Sequence, residues 1–194
     1  DLCGIALPTV TPDGKLSAPE LAPVFDAVDD RDMTAFIHPH GNVLSESLDE
    51  DESFLNPLVV FPTDTTLQIA RLIYDGFFDE HDFDVVLSHM GGTLLHLAGR
   101  LDRGRREIDD PDARPDRPIV EYLQDFYYDT ISFHRPAMRA AIETVGPDQF
   151  VFGTDYPFDE EDVDTALADL DAIVPDATDR ERIETETART LFDL

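Results

Sequence analysis

Five short apolar runs, each stopped by a turn-forming or polar residue, constrain this chain more than any other feature of its sequence. They are Cys3 to Leu7 (CGIAL), Thr34 to His38 (TAFIH), Asp84 to Ser88 (DVVLS), Asp125 to Asp129 (DFYYD) and Phe150 to Gly153 (FVFG). A continuous apolar run, unlike an alternating one, predicts a strand buried on both faces, and such strands belong to parallel sheets covered by helices. The intervals carry helical periodicity. Ser17 and Pro19 open a helix to about Asp30, with Leu21, Val24, Phe25 and Val28 on its core face. A second runs from Thr63 to Phe78 with Leu67, Ala70, Ile73 and Phe77 inward. Further helices are expected over Leu94 to Arg103, Arg135 to Val145, about 160 to 173 and about 178 to 191. The turn Pro12-Asp13-Gly14 follows the first strand, residues 42 to 62 form a long connection, and the charged, proline-containing stretch Arg105 to Pro118 is a surface excursion.

The pattern is α/β, built of repeated strand–helix units on one parallel sheet. Five strands are too few to close a (β/α)₈ TIM barrel, which takes about 250 residues. The competing architecture is an open doubly wound sheet, against which stands the absence of a glycine-rich phosphate loop after the first strand. At 194 residues the chain is read as a single domain over 1–194.

The formal net charge is -29, and thirteen arginines accompany a single lysine, Lys15. Self-repulsion on that scale needs screening, which predicts a halophilic protein. An acidic protein made for a basic partner would concentrate its charge in a tail, whereas here it is spread over the helices. Nucleic acid is excluded as a partner, because binding it depends on neutralising phosphates with Lys and Arg. No apolar run reaches membrane-spanning length and no charged-then-apolar leader stands at Asp1, so the expected location is the cytoplasm. A lone cysteine, Cys3, excludes an internal disulfide and is expected to be a small buried hydrophobe.

Three strand ends carry groups suited to a metal: His38 and His40 after the second, His89 after the third, and Asp155 in the GTDYP segment after the fifth. Parallel strands in one sheet end on the same side, so these groups can converge. Imidazole and carboxylate donors suit zinc, with manganese as the alternative. A free histidine beside such an ion can move a proton. Each residue also has a plainer reading. A strand-end histidine can be a hydrogen-bonded structural residue, and Asp155 can cap the helix that follows. His81, His96 and His134 lie in or beside helices and are read as structural, His134 as a possible cap of the helix at Arg135. His40 either lines the site or orients His38.

The segments FIHPHG (Phe36 to Gly41), LSHMGGTLLHLAGRLDRG (Leu87 to Gly104), YYDT (Tyr127 to Thr130), VGPDQFVFGTDYPF (Val145 to Phe158) and TARTLFDL (Thr187 to Leu194) resemble the amidohydrolase-related family of 2-amino-3-carboxymuconate-6-semialdehyde decarboxylase, which includes γ-resorcylate-type decarboxylases. The resemblance covers essentially the whole chain and implies a (β/α)₈ barrel of which about the last five βα units are present. It implies that His38 and Asp155 are metal ligands, that His89 is the catalytic acid/base, and that Arg100 lies beside the site near a subunit contact of a homodimer; Arg100 and, from its strand-end position, His40 are the candidate substrate-binding residues. Met90 stands where the family often has glycine. The family also begins with a His-x-His pair, and none precedes Cys3; the expectation is a C-terminal portion of a longer protein, because a half-barrel with an exposed parallel edge would aggregate. The activity implied is metal-dependent decarboxylation of a small unsaturated or aromatic carboxylate. The alternatives are hydrolysis of an amide or lactone at the same site, and a non-catalytic remnant that serves as a partner surface.

Overall fold

In the computed structural model, described for residues 2–11, 15–40, 48–110, 114–157 and 163–194, the sheet has five strands. They are β1 (Gly4–Pro8), β2 (Thr34–His38), β3 (Val85–Leu87), β4 (Tyr127–Asp129) and β5 (Phe150–Val151). All neighbours pair in parallel, and their spatial order is their sequence order. A doubly wound sheet reverses its strand order at a switch point; this one never reverses, so it is a sector of a singly wound barrel.

Residues of alternate parity along each strand face opposite ways. Ala35, Ile37, Val85, Leu87, Tyr128 and Phe150 are buried, and all but Ala35 belong to a cluster with Phe25, Ile69, Leu72, Leu94, Leu123, Met138 and Leu170 from the connecting helices. These helices are α1 (Ala22–Asp29), α2 (Phe61–Tyr74), α3 (Phe77–Glu80), α4 (Leu94–Arg106), α5 (Ile119–Asp125), α6 (Arg135–Val145) and α7 (Val163–Ile173). The opposite, concave face carries Phe36, Val86, Tyr127 and Val151. These pack in a smaller cluster with Ala188, Leu191 and Phe192 of the last helix, α9 (Thr187–Phe192), which follows α8 (Ala177–Glu181) and a π-helical turn, Arg182–Glu186. Thr34 Oγ1 donates to the Leu191 carbonyl at 2.9 Å and ties that helix to β2.

Several expectations are corrected. Cys3 is exposed and precedes β1, which has no strand on its outer side, so nothing is there to bury it. The first helix begins only after a 3₁₀ turn, Pro19–Leu21; the phase change buries Phe25 and Val28 and leaves Val24 exposed. The second helix begins earlier than Thr63, with a π-helical turn at Asn56–Val60, and stops before Gly76, whose φ of 76° is left-handed. Its buried face is Asp64, Thr65, Gln68, Ile69, Leu72 and Ile73, with Leu67 exposed. Polar residues occupy that face because partners wait there: Thr9 Oγ1 donates to the Asp64 carboxylate, and Thr66 Oγ1 bonds both the Pro62 carbonyl and Thr93 Oγ1.

Directly after the excursion ends at Pro118 comes an unforeseen helix, α5, whose last residue is Asp125, so β4 starts at Tyr127. β5 pairs over two residues, after which the Phe152 N–H donates to the Ile183 carbonyl at 2.9 Å. The single helix expected over 178–191 is three pieces, opened by Asp176, whose carboxylate caps the N–H groups of Thr178 and Asp179. The Pro12-Asp13-Gly14 turn, residues 41–47 of the long connection and 158–162 at the start of the fifth expected helix lie outside the described residues. Among the described residues, no helix is long and apolar enough to cross a membrane.

Candidate metal centre

Strand parity places Phe36 and His38 on the concave face of β2 and Tyr127 and Asp129 on that of β4. His89 lies just past β3 and Asp155 four residues past β5. Their ends converge on a cavity of about 500 Å³ whose walls include Phe36, Val86, Ile131, Val151 and Phe152, with His38, His89, Asp129 and Asp155 as its polar groups. This is the size and mixture of a small-molecule site.

His38, His89 and Asp155 each offer a donor atom within 4.8 Å of the other two, the one such group of His, Cys, Asp or Glu among the described residues. His89 Nε2 is 3.9 Å from Asp155 Oδ2, and the His38 and His89 rings are 5.1 Å apart between centroids. His89 Nδ1 is buried without a hydrogen-bond partner. Ligands about 2.1 Å from a shared ion stand roughly 3–4 Å apart. Two imidazoles and a carboxylate at this spacing therefore fit a divalent cation after a small closure, and the half-buried Asp155 can make that adjustment.

Burial holds the His89 imidazole below its ordinary range; Asp155 pulls it up and His38 pushes it down. A neutral ring is what both a ligand and a proton acceptor require. Asp129, buried at the end of β4 in the YYDT segment, is a further polar group of the site, one to which the sequence assigns no role. Burial pushes its carboxyl up to about 7, against three backbone N–H donors that favour the ionised form, with nearby Asp155 adding to the rise. Its sequence signal was slight: an aspartate ending an apolar strand.

Other sequence candidates fall elsewhere. His40 is exposed and does not line the cavity. Arg100 is exposed on α4, beside Arg103, Gly104 and Glu107 in a separate depression. His81 pairs with Asp29 and packs its ring against Phe25, Phe77 and Phe83. His134 occupies the N-cap position of α6 without a side-chain capping bond, which corrects the expected cap. Asp155 has a positive φ of 60° and turns its carboxylate toward His89.

A barrel sector with imidazole and carboxylate donors gathered at the C-terminal ends of its strands has the geometry of a divalent-metal site in an α/β barrel. The chain belongs to the amidohydrolase family, whose family model matches residues 1–194. A γ-resorcylate decarboxylase of Rhizobium sp. is 30% identical over 182 residues, covering 91% of this chain and 55% of the relative. The crystal structure of 2,6-dihydroxybenzoate decarboxylase from Rhizobium superposes with a TM-score of 0.85 at 28% identity, covering 98% of this chain and 62% of that one. A dihydroxybenzoic acid decarboxylase of Polaromonas sp., solved with manganese and the inhibitor 2-nitroresorcinol, gives a TM-score of 0.81 at 27% identity, over 93% of this chain and 55% of that one. The chain thus spans a little over half the length of the curated relatives it matches.

Proposed function

We propose that this chain is the catalytic C-terminal part of a metal-dependent decarboxylase acting on a small aromatic carboxylic acid, within the branch of the family typified by the carboxymuconate-semialdehyde and γ-resorcylate decarboxylases. The observation that carries the reading is the convergence of His38, His89 and Asp155 in a cavity with largely apolar walls. The names of the relatives at 30% identity support the substrate class. Residues 1–194 are read as one domain whose remaining metal ligands, the family's His-x-His pair, come from a preceding part of the barrel.

His38 and Asp155 would hold the cation, zinc by its donor set, with manganese its competitor because the Polaromonas relative carries that metal. When bound it supplies a Lewis-acid charge that draws in the substrate's anionic oxygens. The residues do the rest. Phe36, Val86, Ile131 and Val151 strip water from the substrate, which favours release of neutral carbon dioxide over retention of a carboxylate. The C–C bond pair stays on the ring carbon as carbon dioxide leaves; His89, neutral before the substrate binds, takes up a solvent proton at Nε2 beside the substrate's negative charge, delivers it to that carbon and returns to the neutral ring. The apolar walls favour this reaction over hydrolysis.

The acidic surface and the single free cysteine support a halophilic, cytoplasmic protein, and the family resemblance supports a homodimer. The test is release of carbon dioxide from 2,6-dihydroxybenzoate in molar salt, with zinc or manganese added. Turnover that drops about 10²–10⁴-fold in His89→Gln is expected. A metal-loaded chain that opens lactones and releases no carbon dioxide would overturn the decarboxylase reading.

A further inference from the structure

Four consecutive residues after β3 have positive φ: His89 at 52°, Met90 at 55°, Gly91 at 68° and Gly92 at 65°. Glycine takes such torsions freely, but His89 and Met90 carry Cβ atoms that disfavour them. The glycine half of the turn is wedged in place. A Cβ on Gly91 would come within 2.8 Å of the Tyr128 ring and one on Gly92 within 2.1 Å of the Pro62 carbonyl oxygen, while the Thr93 N–H donates to Thr66 Oγ1 at 2.9 Å. The histidine half is held by one side chain. Asp129 accepts from the His89 N–H at 2.8 Å through Oδ2, and from the Met90 N–H at 2.8 Å through Oδ1. A third bond, from the Ile131 N–H at 3.1 Å, fixes the carboxylate itself.

These three donors engage both oxygens of Asp129 and take three of a carboxylate's roughly four acceptor sites, so although it lines the cavity it is bonded chiefly to backbone. Successive N–H groups closing on one anion form a nest. Without that anion two buried N–H groups would lose their acceptor, and the strained pair would relax toward ordinary torsions, swinging the imidazole away from Asp155 and His38. We propose that Asp129 is a positioning residue: its carboxylate holds the His89–Met90 backbone in the left-handed region and so aims the His89 ring into the site. This rests on the reading of His89 as the proton carrier.

The test is nuclear magnetic resonance of the full chain at pH 8 in molar salt. In the unmodified chain, scalar couplings across the hydrogen bonds should link the Asp129 carboxyl carbon to the His89 and Met90 amide nitrogens. In Asp129→Asn, those two amides should exchange at least about tenfold faster, with the Ala35 amide, bonded to the Asp84 carbonyl at 2.8 Å, within about threefold. The His89 ring resonances should move while those of His38 stay. Manganese affinity should change less than about threefold, and decarboxylation should slow by about tenfold or more, the scale on which supporting partners of site residues act. A purely structural role would move all of these together. Absence of the couplings in the unmodified chain overturns the proposal even if the variant fails to fold, and so does an unmoved His89 ring in a folded variant. An unmodified chain with both couplings and no turnover would contradict the decarboxylase reading and leave the loop geometry standing.

Discussion

The two faces of the five-stranded sheet are written in the same strands and do opposite work. On the convex face Ile37, Leu87, Tyr128 and Phe150 are sealed under helices. On the concave face, one residue along each strand, Val86 and Val151 are buried in a small cluster with α9 and Phe36 is only partly covered, and they share the surface with His38, Asp129 and the site. Burial makes the convex face the source of stability, whereas the concave face exposes apolar walls and gathers ionisable groups where water is scarce. A period of two along a strand is enough to keep these demands from competing.

The contrast is broken most severely from the convex side. Phe150→Ala should cost about 3–5 kcal/mol of stability, read as a lowered denaturant midpoint in molar salt, while Phe36→Ala on the concave face should cost less than half of that. A concave-face truncation equally damaging would dissolve the division. Next, His89→Gln should leave the denaturant midpoint near that of the unmodified chain while removing about 10²–10⁴ of the decarboxylation rate, since its ring is involved in chemistry rather than packing.

Smaller and sharper is the effect of pH. Asp129 has its folded value raised to about 7 by burial. Between the unfolded value near 3.9 and about 7 the folded chain therefore holds a proton that the unfolded chain has released, and stability falls as pH rises through that window, by at most about 1.4 kcal/mol per pH unit. His89 works in the other direction: its folded value is lowered, so stability falls as pH drops below the unfolded value near 6.5. In the metal-free chain, Asp129→Asn should flatten the loss on the rising side, by urea titrations at pH 4.5, 6 and 7.5; an unchanged slope would assign it to other carboxyls. Least of all, Arg103→Ala should shift the midpoint by under about 0.5 kcal/mol, because its pair with Glu107 at 2.8 Å is exposed on both sides.

What could be read in the sequence divides along the same line. The strands and the three converging residues were legible because apolar runs ending in His or Asp leave a linear trace. The phase of α2 was not, since Asp64 and Gln68 occupy its buried face, where Thr9, just past β1, meets the Asp64 carboxylate. α5 was hidden because its seven residues run into β4 with neither glycine nor proline between them, so no turn residue separates helix from strand. The role of Asp129 was hidden because its partners are backbone N–H groups 40 and 39 residues away, at His89 and Met90, which no residue type announces. Of the candidates outside the cavity lining, His40 stands two residues past His38, whereas Arg100, inferred from resemblance rather than from a strand end, lies on α4 in a separate depression.

The most direct test of the account is metal bound per chain, by elemental analysis of the protein purified in molar salt, for the unmodified sequence and for Asp155→Asn. About one equivalent of zinc or manganese that is lost in the variant is the predicted result, because of the two ligands assigned to this chain only His38 would then remain. Metal retained at the same level in Asp155→Asn, or none in the unmodified chain, would contradict a metal centre built from these strand ends.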